Sequence, residues 1–267
     1  MRLPKTSRTA SELKELRLGK GDYAAGGARS LPFLDLDGAR RRRPLVFGEV
    51  IDDLSSYPGL AAEMFSGRQT DPAEWAVMWK EIGADGVCLR IADNNDVQSA
   101  VSLVRTVCDR TRLPVTVDAS ADIIEAVASE IKDSILMLLS DHVRDDGHIA
   151  VIGCRDADMA SSVCGEHDAV VSFGHVTEAA ELSDLVGRIE EYRARGLSGD
   201  RTCSNPVIID VTYAWDALDE GWDARRASML EATEALAVML AGADMLIVRG
   251  PGAADMARVY GEELADL

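Results

Sequence analysis

The chain has 267 residues, 47% hydrophobic and 28% charged, with mean hydropathy near zero, which is enough apolar mass for a substantial core. No apolar run reaches the roughly 18–20 residues that cross a bilayer, so no membrane partner is expected. The net charge of −18 argues against nucleic acid as a partner.

That charge is uneven. Residues 1–44 carry eleven Lys/Arg and five Asp/Glu, whereas residues 45–267 carry seventeen and forty-one. The first ten residues are charged and lack an apolar core segment, so no secretory signal is expected and the cytoplasm is the expected compartment. The five cysteines (Cys88, Cys108, Cys154, Cys164, Cys203) include no C-x-x-C pair. They predict neither a disulfide framework nor a zinc or iron–sulfur site on this chain, and read as small buried side chains.

Residues 1–43 read as a basic arm and cap. The leucines of 11–18 fit a short amphipathic helix, and glycines at 19, 21, 26 and 27 suggest an extended course beyond it. Residues 31–38 alternate apolar and acidic side chains before an Asp-Gly turn, as in a small hairpin or cap. The run Arg40-Arg41-Arg42-Arg43 fits either docking on an acidic partner or folding back on this chain's own acidic body.

From Pro44 onward, strands and helices alternate. The apolar, β-branched runs predict strands at 45–50, 86–91, 114–117, 134–139, 148–152, 169–173, 207–211 and 245–249. Between them lie helical segments at 71–82, 96–110, 122–131, 156–165, 177–195 and 225–241, with a last one from 253. The first opens on an Asp71 cap with Pro72 at its first position, and Gly83 and Gly242 stop two of them. Eight strands with intervening helices predict a (β/α)8 TIM barrel over 44–267. A doubly wound sheet fits fewer strands, and no G-x-G-x-x-G follows the first. One connection is too short for a crossover helix: residues 140–147 join two strands directly. The fourth helix is therefore expected to be missing, leaving a bare flank open to a partner.

In such a barrel the C-terminal strand ends face the site. In order they are Glu49 and Asp52, then Arg90, Asp93, Asn94 and Asn95, then Asp118 and Ser120. Ser140, Asp141 and His142 follow, then Cys154 and Arg155, Ser172 and His175, Asp210 and Thr212, and Arg249. No lysine lies at a strand end, which argues against Schiff-base chemistry, and the four histidines show no metal-ligand spacing. Asp210 and Thr212 form a general base, a hydrogen-bonding fork or a loop cap. Arg90 and Arg249 can pair with Asp93, Asp118 or Asp210. Trp75 and Trp79, four apart on one helix, read as core or interface. After the strand ending at Asp210 comes a loop carrying Tyr213, Trp215 and Trp222, suited to a wall against a flat ligand.

Several stretches, in order, resemble one known family. They are Gly26-Gly-Ala-Arg-Ser-Leu-Pro-Phe-Leu-Asp-Leu-Asp-Gly38, Pro44-Leu-Val-Phe-Gly-Glu-Val-Ile-Asp52, Asp71-Pro-Ala-Glu-Trp-Ala76, Gly83-Ala-Asp-Gly-Val-Cys-Leu-Arg-Ile91, the loop Tyr213–Trp222, and Gly242-Ala-Asp-Met245. Together they resemble the small (delta) subunit of the corrinoid iron–sulfur protein of the CO dehydrogenase/acetyl-CoA synthase (decarbonylase) complex, here shortened and divergent. Where that family has Asp-Pro-Thr-Thr, this chain reads Val171-Ser-Phe-Gly-His175.

The resemblance implies a TIM barrel that pairs with a larger subunit carrying a corrinoid and the [4Fe–4S] cluster. The pair would pass a methyl group between a pterin- or folate-dependent methyltransferase and acetyl-CoA synthase. On that reading Tyr213, Trp215 and Trp222 lie against a cobalamin shared with the partner, and Ser140, His142, His175 and Thr212 belong to the same mouth. A second reading is a methyltransferase that binds methyl-tetrahydrofolate or another pterin, with Asn94 or Asn95, Asp118 and Asp210 holding the ring. A third is a non-catalytic assembly protein using the bare flank and the basic arm.

Overall fold

The computed structural model describes residues 13–20, 23–34, 41–175, 179–216 and 221–266, and of residues 56, 175, 179 and 180 the backbone alone. An antiparallel pair comes first, β1 (Glu15–Leu18) and β2 (Tyr23–Gly26). The body follows: β3 (Leu45–Ile51), the short α1 (Gly59–Ala62), α2 (Pro72–Glu81), β4 (Gly86–Arg90), α3 (Val97–Thr111), β5 (Val115–Asp118), α4 (Ala121–Glu130) and β6 (Met137–Ser140). Then come β7 (Ile149–Gly153), α5 (Ala157–Cys164), β8 (Ala169–His175), α6 (Ala179–Leu197), β9 (Val207–Asp210), α7 (Ala224–Ala241), β10 (Met245–Val248) and α8 (Pro251–Ala265). Strands β3 to β10 pair in parallel, in chain order, and β10 closes on β3, so the protein is a (β/α)8 TIM barrel.

Local chemistry sets these elements. Asp71 accepts from the N–H groups of Ala73 (2.9 Å) and Glu74 (3.3 Å), with Pro72 in the first turn of α2 where its missing N–H costs nothing. Asp96, Asp156 and Asp223 cap α3, α5 and α7 in the same way. Gly242, at φ 111°, ends α7 in the left-handed region. Strand side chains alternate between two cores. Those facing outward pack under the helices, together with Trp75, Trp79 and Tyr192. Those facing inward, among them Phe47, Cys88, Met137, Val151, Ile208 and Met245, fill the barrel. All five cysteines are buried thiols.

The helix expected at 11–18 is instead strand β1 in its described part. Leu13 and Leu16 fit a helical spacing, but Leu16 and Leu18 also alternate with Glu15 and Arg17, and the strand spacing prevails. Leu16 and Leu18 then point together, with Ala25, into the N-terminal end of the barrel and seal it. The arginine run folds back on its own chain. Arg41 donates to the Leu34 carbonyl, Arg42 pairs with Glu15, and Arg43 forks onto Asp85 at 2.6 and 2.7 Å. Arg40 and the Asp-Gly turn at 37–38 lie outside the described residues.

No helix separates β6 from β7, as the short spacing predicts. The flank is nevertheless not bare. Val143 packs on the outer core, and Arg144, 6% exposed, donates to Glu125 (2.9 Å) and Asp146 (2.5 Å). His148 Nδ1 accepts from the Leu136 N–H at 3.2 Å. Beneath this link Leu138, Ala150 and Ile152 are fully buried. The expectation of a bare flank is corrected: residues 141–148 cover the outer faces of β6 and β7, where a helix lies elsewhere in the barrel.

A three-residue motif occurs twice at the closed end. In Gly83-Ala84-Asp85 and Gly242-Ala243-Asp244, each aspartate exchanges two bonds with the start of a neighbouring strand. The Asp85 N–H donates to the Val46 carbonyl (2.8 Å), and the Val46 N–H donates back to the Asp85 carboxylate (2.9 Å). Asp244 does the same with Val207, at 2.9 and 2.7 Å. Each carboxylate also takes an arginine: Arg43, partly exposed, for Asp85, and the fully buried Arg193 for Asp244, which holds Ser30 as well.

Helix α7 buries two acids. Glu231 is fully buried and accepts from the indole N–H of Trp215 (2.8 Å) and the backbone N–H groups of Arg249 (2.5 Å) and Gly250 (2.9 Å). Burial outweighs these donors and pushes its carboxyl from near 4.5 up to about 8. Glu234, with one carboxylate oxygen unpartnered among the described residues, is pushed by burial up to about 7.

Two outcomes are expected. Breaking the enclosed Arg193–Asp244 pair with Asp244→Asn should cost about 3–5 kcal/mol. Asp85→Asn, whose arginine reaches solvent, should cost about 1 kcal/mol. Urea midpoints measure both, and equal losses would remove the distinction between the two clamps. The folded state also holds a Glu231 proton that the unfolded chain has lost, throughout the window from about 4.5 to about 8. Stability should therefore fall as pH rises through that window. Glu231→Gln should flatten the slope, leaving the smaller part that belongs to Glu234, as read from melts at a series of pH values.

Candidate functional site

The open, C-terminal end of the barrel holds a cavity of about 510 Å³ formed by the ends of β3, β4, β5, β9 and β10. At its base lies Glu49, fully buried at the end of β3. Its backbone carbonyl accepts from the Trp79 indole at 2.8 Å, which fixes the strand. Its carboxylate takes Arg249 twice, from Nε at 2.6 Å and Nη2 at 3.3 Å, and Arg90 Nη1 at 3.3 Å. Arg249 reaches on to Asp216 at 3.0 Å, and its guanidinium lies over the Tyr57 ring, 5.1 Å from the centroid. Arg90 continues to Asp210. Burial disfavours the charge on both arginines, but the surrounding carboxylates more than offset it and raise both pKa values.

Asp210 is itself held. Its Oδ1 accepts from the N–H (2.9 Å) and the hydroxyl (2.7 Å) of Thr212. It is thereby fixed as a partner for Arg90, which makes it a poor general base. Asp118, at the end of β5, differs. Its side chain is 43% exposed, Arg90 Nε lies 3.9 Å away, and it makes no hydrogen bond to a described residue. Burial pushes its carboxyl above the usual range, against the pull of Arg90. Tyr213 stands beside it, with the Arg90 guanidinium 5.9 Å from its ring centroid. Asp52, opposite, accepts from the Ala92 N–H (2.8 Å) and the Asn95 amide (2.6 Å), so Asn95 supports the rim through an acid.

The strand-end residues Glu49, Asp52, Arg90, Asp118, Asp210 and Arg249 are thus brought together, with Tyr213. The others are not. Asn94 points to solvent, and Thr212 is buried beneath Asp210. Ser140 and His142 border a separate recess of about 390 Å³ near β6, where Ser140 donates to the His142 carbonyl (2.8 Å) and His142 meets Asp141 (2.5 Å). The side chain of His175 lies outside what the structure describes.

The aromatic wall needs correction. Trp215 is 2% exposed and turns inward to Glu231, because burying its ring while satisfying its N–H is the more stable arrangement. Trp222 is half-buried and stands off the cavity. Only Tyr213 of the three lines it. Tyr57, Asp53 and Asp216, which line the cavity, and Glu231, buried behind it, are positions that strand-end reasoning misses, since none ends a strand. A signal existed for Glu231: it falls four residues from both Ala227 and Ala235 on the buried stripe of α7.

Among the described residues, no three His, Cys, Asp or Glu side chains converge as a metal site, and no helix is long and apolar enough to cross a membrane. No protein-family model matches the chain, and no curated protein matches it significantly. Solved structures do. Yersinia pestis dihydropteroate synthase with a pterine–sulfa conjugate aligns over 94% of this chain and 99% of that one, at TM-score 0.54 and 12% identity. A dihydropteroate synthetase solved with a product aligns over 94% and 98%, at TM-score 0.55 and 13% identity. The Xanthomonas albilineans synthase with 4-aminobenzoic acid aligns over 83% and 93%, at TM-score 0.52 and 15% identity. At such identities the likeness is one of fold: this chain is a TIM barrel similar to those of the dihydropteroate synthases.

Proposed function

We propose that the barrel mouth binds a pterin-class ring and that the protein serves pterin- or folate-dependent one-carbon chemistry. The observation that carries this is Asp118: a carboxylate in the cavity wall, free of hydrogen bonds to described residues, beside an aromatic face. A pterin presents a ring N–H and an exocyclic amino group side by side, and one carboxylate accepts both. Tyr213 offers a flat surface for the ring. Arg90, fixed by Glu49 and Asp210, keeps the Asp118 side of the mouth in place. The fold likeness to a synthase solved with a pterine conjugate supports the same ligand class.

A bound methylpterin would supply the one-carbon unit. This chain's residues would bind and orient it: Asp118 at the amidine edge, Tyr213 against the face, and the Glu49–Arg249–Arg90 cluster holding the floor rigid. The corrinoid and the large corrinoid-bearing partner rest on the family resemblance alone. The three-residue aromatic lid that reading calls for is reduced to Tyr213, which favours the pterin.

Asp118→Asn exchanges one acceptor oxygen for a donor that opposes the ligand's own donors. Affinity for a reduced pterin, measured by calorimetry, should fall about 10- to 100-fold while the melting temperature holds. Binding should also weaken on acidification, with its midpoint above the ordinary aspartate range, since only the ionised carboxylate accepts both bonds. A wild-type protein that ignores pterins, or an Asp118→Asn variant that binds them unchanged, would overturn the proposal.

A further inference from the structure

Barrels of this kind commonly hold an anionic group near the ends of their last two strands, where backbone N–H groups and a helix N-terminus converge. In this chain that place is filled from within. The Glu231 carboxyl group takes the N–H groups of Arg249 and Gly250, at the junction of β10 and α8, together with the Trp215 indole. Pro251, first in α8, adds no N–H. Two of the backbone donors that would greet a phosphate or carboxylate there, the Arg249 and Gly250 N–H groups, are already bound to an internal acid.

The cations of the mouth are committed as well. Arg249 is held by Glu49 and Asp216, and Arg90 by Glu49 and Asp210 with Asp118 close by. With Asp52 and Asp53 on the wall, six carboxylates face two guanidiniums, a formal excess of four negative charges. No lysine lines the cavity among the described residues. The sequence at 176–178 and 217–220, outside the described residues, contains no lysine or arginine either.

We infer that the mouth selects a ligand without an anionic group: a pterin lacking a carboxylate or phosphate tail, with a neutral or cationic substituent. This rests on the pterin reading above and narrows it. It sets the chain apart from the similar synthase solved with 4-aminobenzoic acid, a carboxylate.

The test compares ligands that share the ring and differ in charge. Calorimetry on the full chain at low salt would measure 6-methylpterin, pterin-6-carboxylate and inorganic phosphate. The uncharged pterin should bind at least about tenfold tighter than the carboxylate, the gap should shrink as salt rises, and phosphate should not compete. Asp216→Asn, which removes a rim charge and releases one Arg249 nitrogen, should narrow the ratio. Equal or tighter binding of pterin-6-carboxylate, or displacement by phosphate, would overturn this inference and leave the pterin reading standing. Failure of both pterins to bind would overturn the pterin reading and this inference with it. A ratio unmoved by Asp216→Asn would overturn its electrostatic basis.

Discussion

Glu49 has no exposure to solvent and lies between two guanidiniums, and the open end of the barrel is arranged around keeping it paired. A buried carboxylate without partners costs several kcal/mol, and so does a buried arginine. Four strands are tied by this need: β3 supplies the acid, β4 supplies Arg90, the residue just after β10 is Arg249, and β9 supplies Asp210 to complete Arg90. The cavity floor is therefore rigid because of its charges, which fixes where Asp118 and Tyr213 stand. A ligand of the proposed class would meet a preorganised wall, so that little of its binding energy would go into ordering side chains.

The same constraint explains why these residues make poor reagents. Each arginine and each floor acid is engaged in several contacts, so none is free to exchange a proton. The group left at liberty is Asp118, and a single accepting carboxylate beside a ring describes recognition better than covalent catalysis. Any chemistry at this mouth would draw its reactivity from what is bound there.

Much of this was legible in the sequence, for physical reasons that can be named. Buried parallel strands are apolar on both faces, so their runs stand out. The strand-end rule then located Glu49, Arg90, Asp118, Asp210 and Arg249. The eight residues at 140–147 announced the missing helix, because a crossover helix needs more chain. Three features were not legible. Leu16 shares a helical spacing with Leu13 and a strand spacing with Leu18, and only the barrel floor decides between them. Trp215 follows a strand end just as Tyr213 does, yet Glu231 draws it inward from a helix sixteen positions away. Val143 and Arg144 look like ordinary loop residues until the exposed flank they cover is known. In each case a distant contact decided the outcome, and local spacing contains no record of it.

The Asp244 clamp has a consequence for how the chain must be assembled. Its carboxylate gathers Ser30, 214 positions earlier, and Arg193, 51 positions earlier, with the start of β9. Until the last strand arrives, Arg193 is a charge without a counterion, and the plug at the closed end lacks one of its anchors. Contacts this distant in sequence raise the entropic cost of closure and delay it. The barrel should then form in one concerted closure late in folding, with the final strand acting as the keystone.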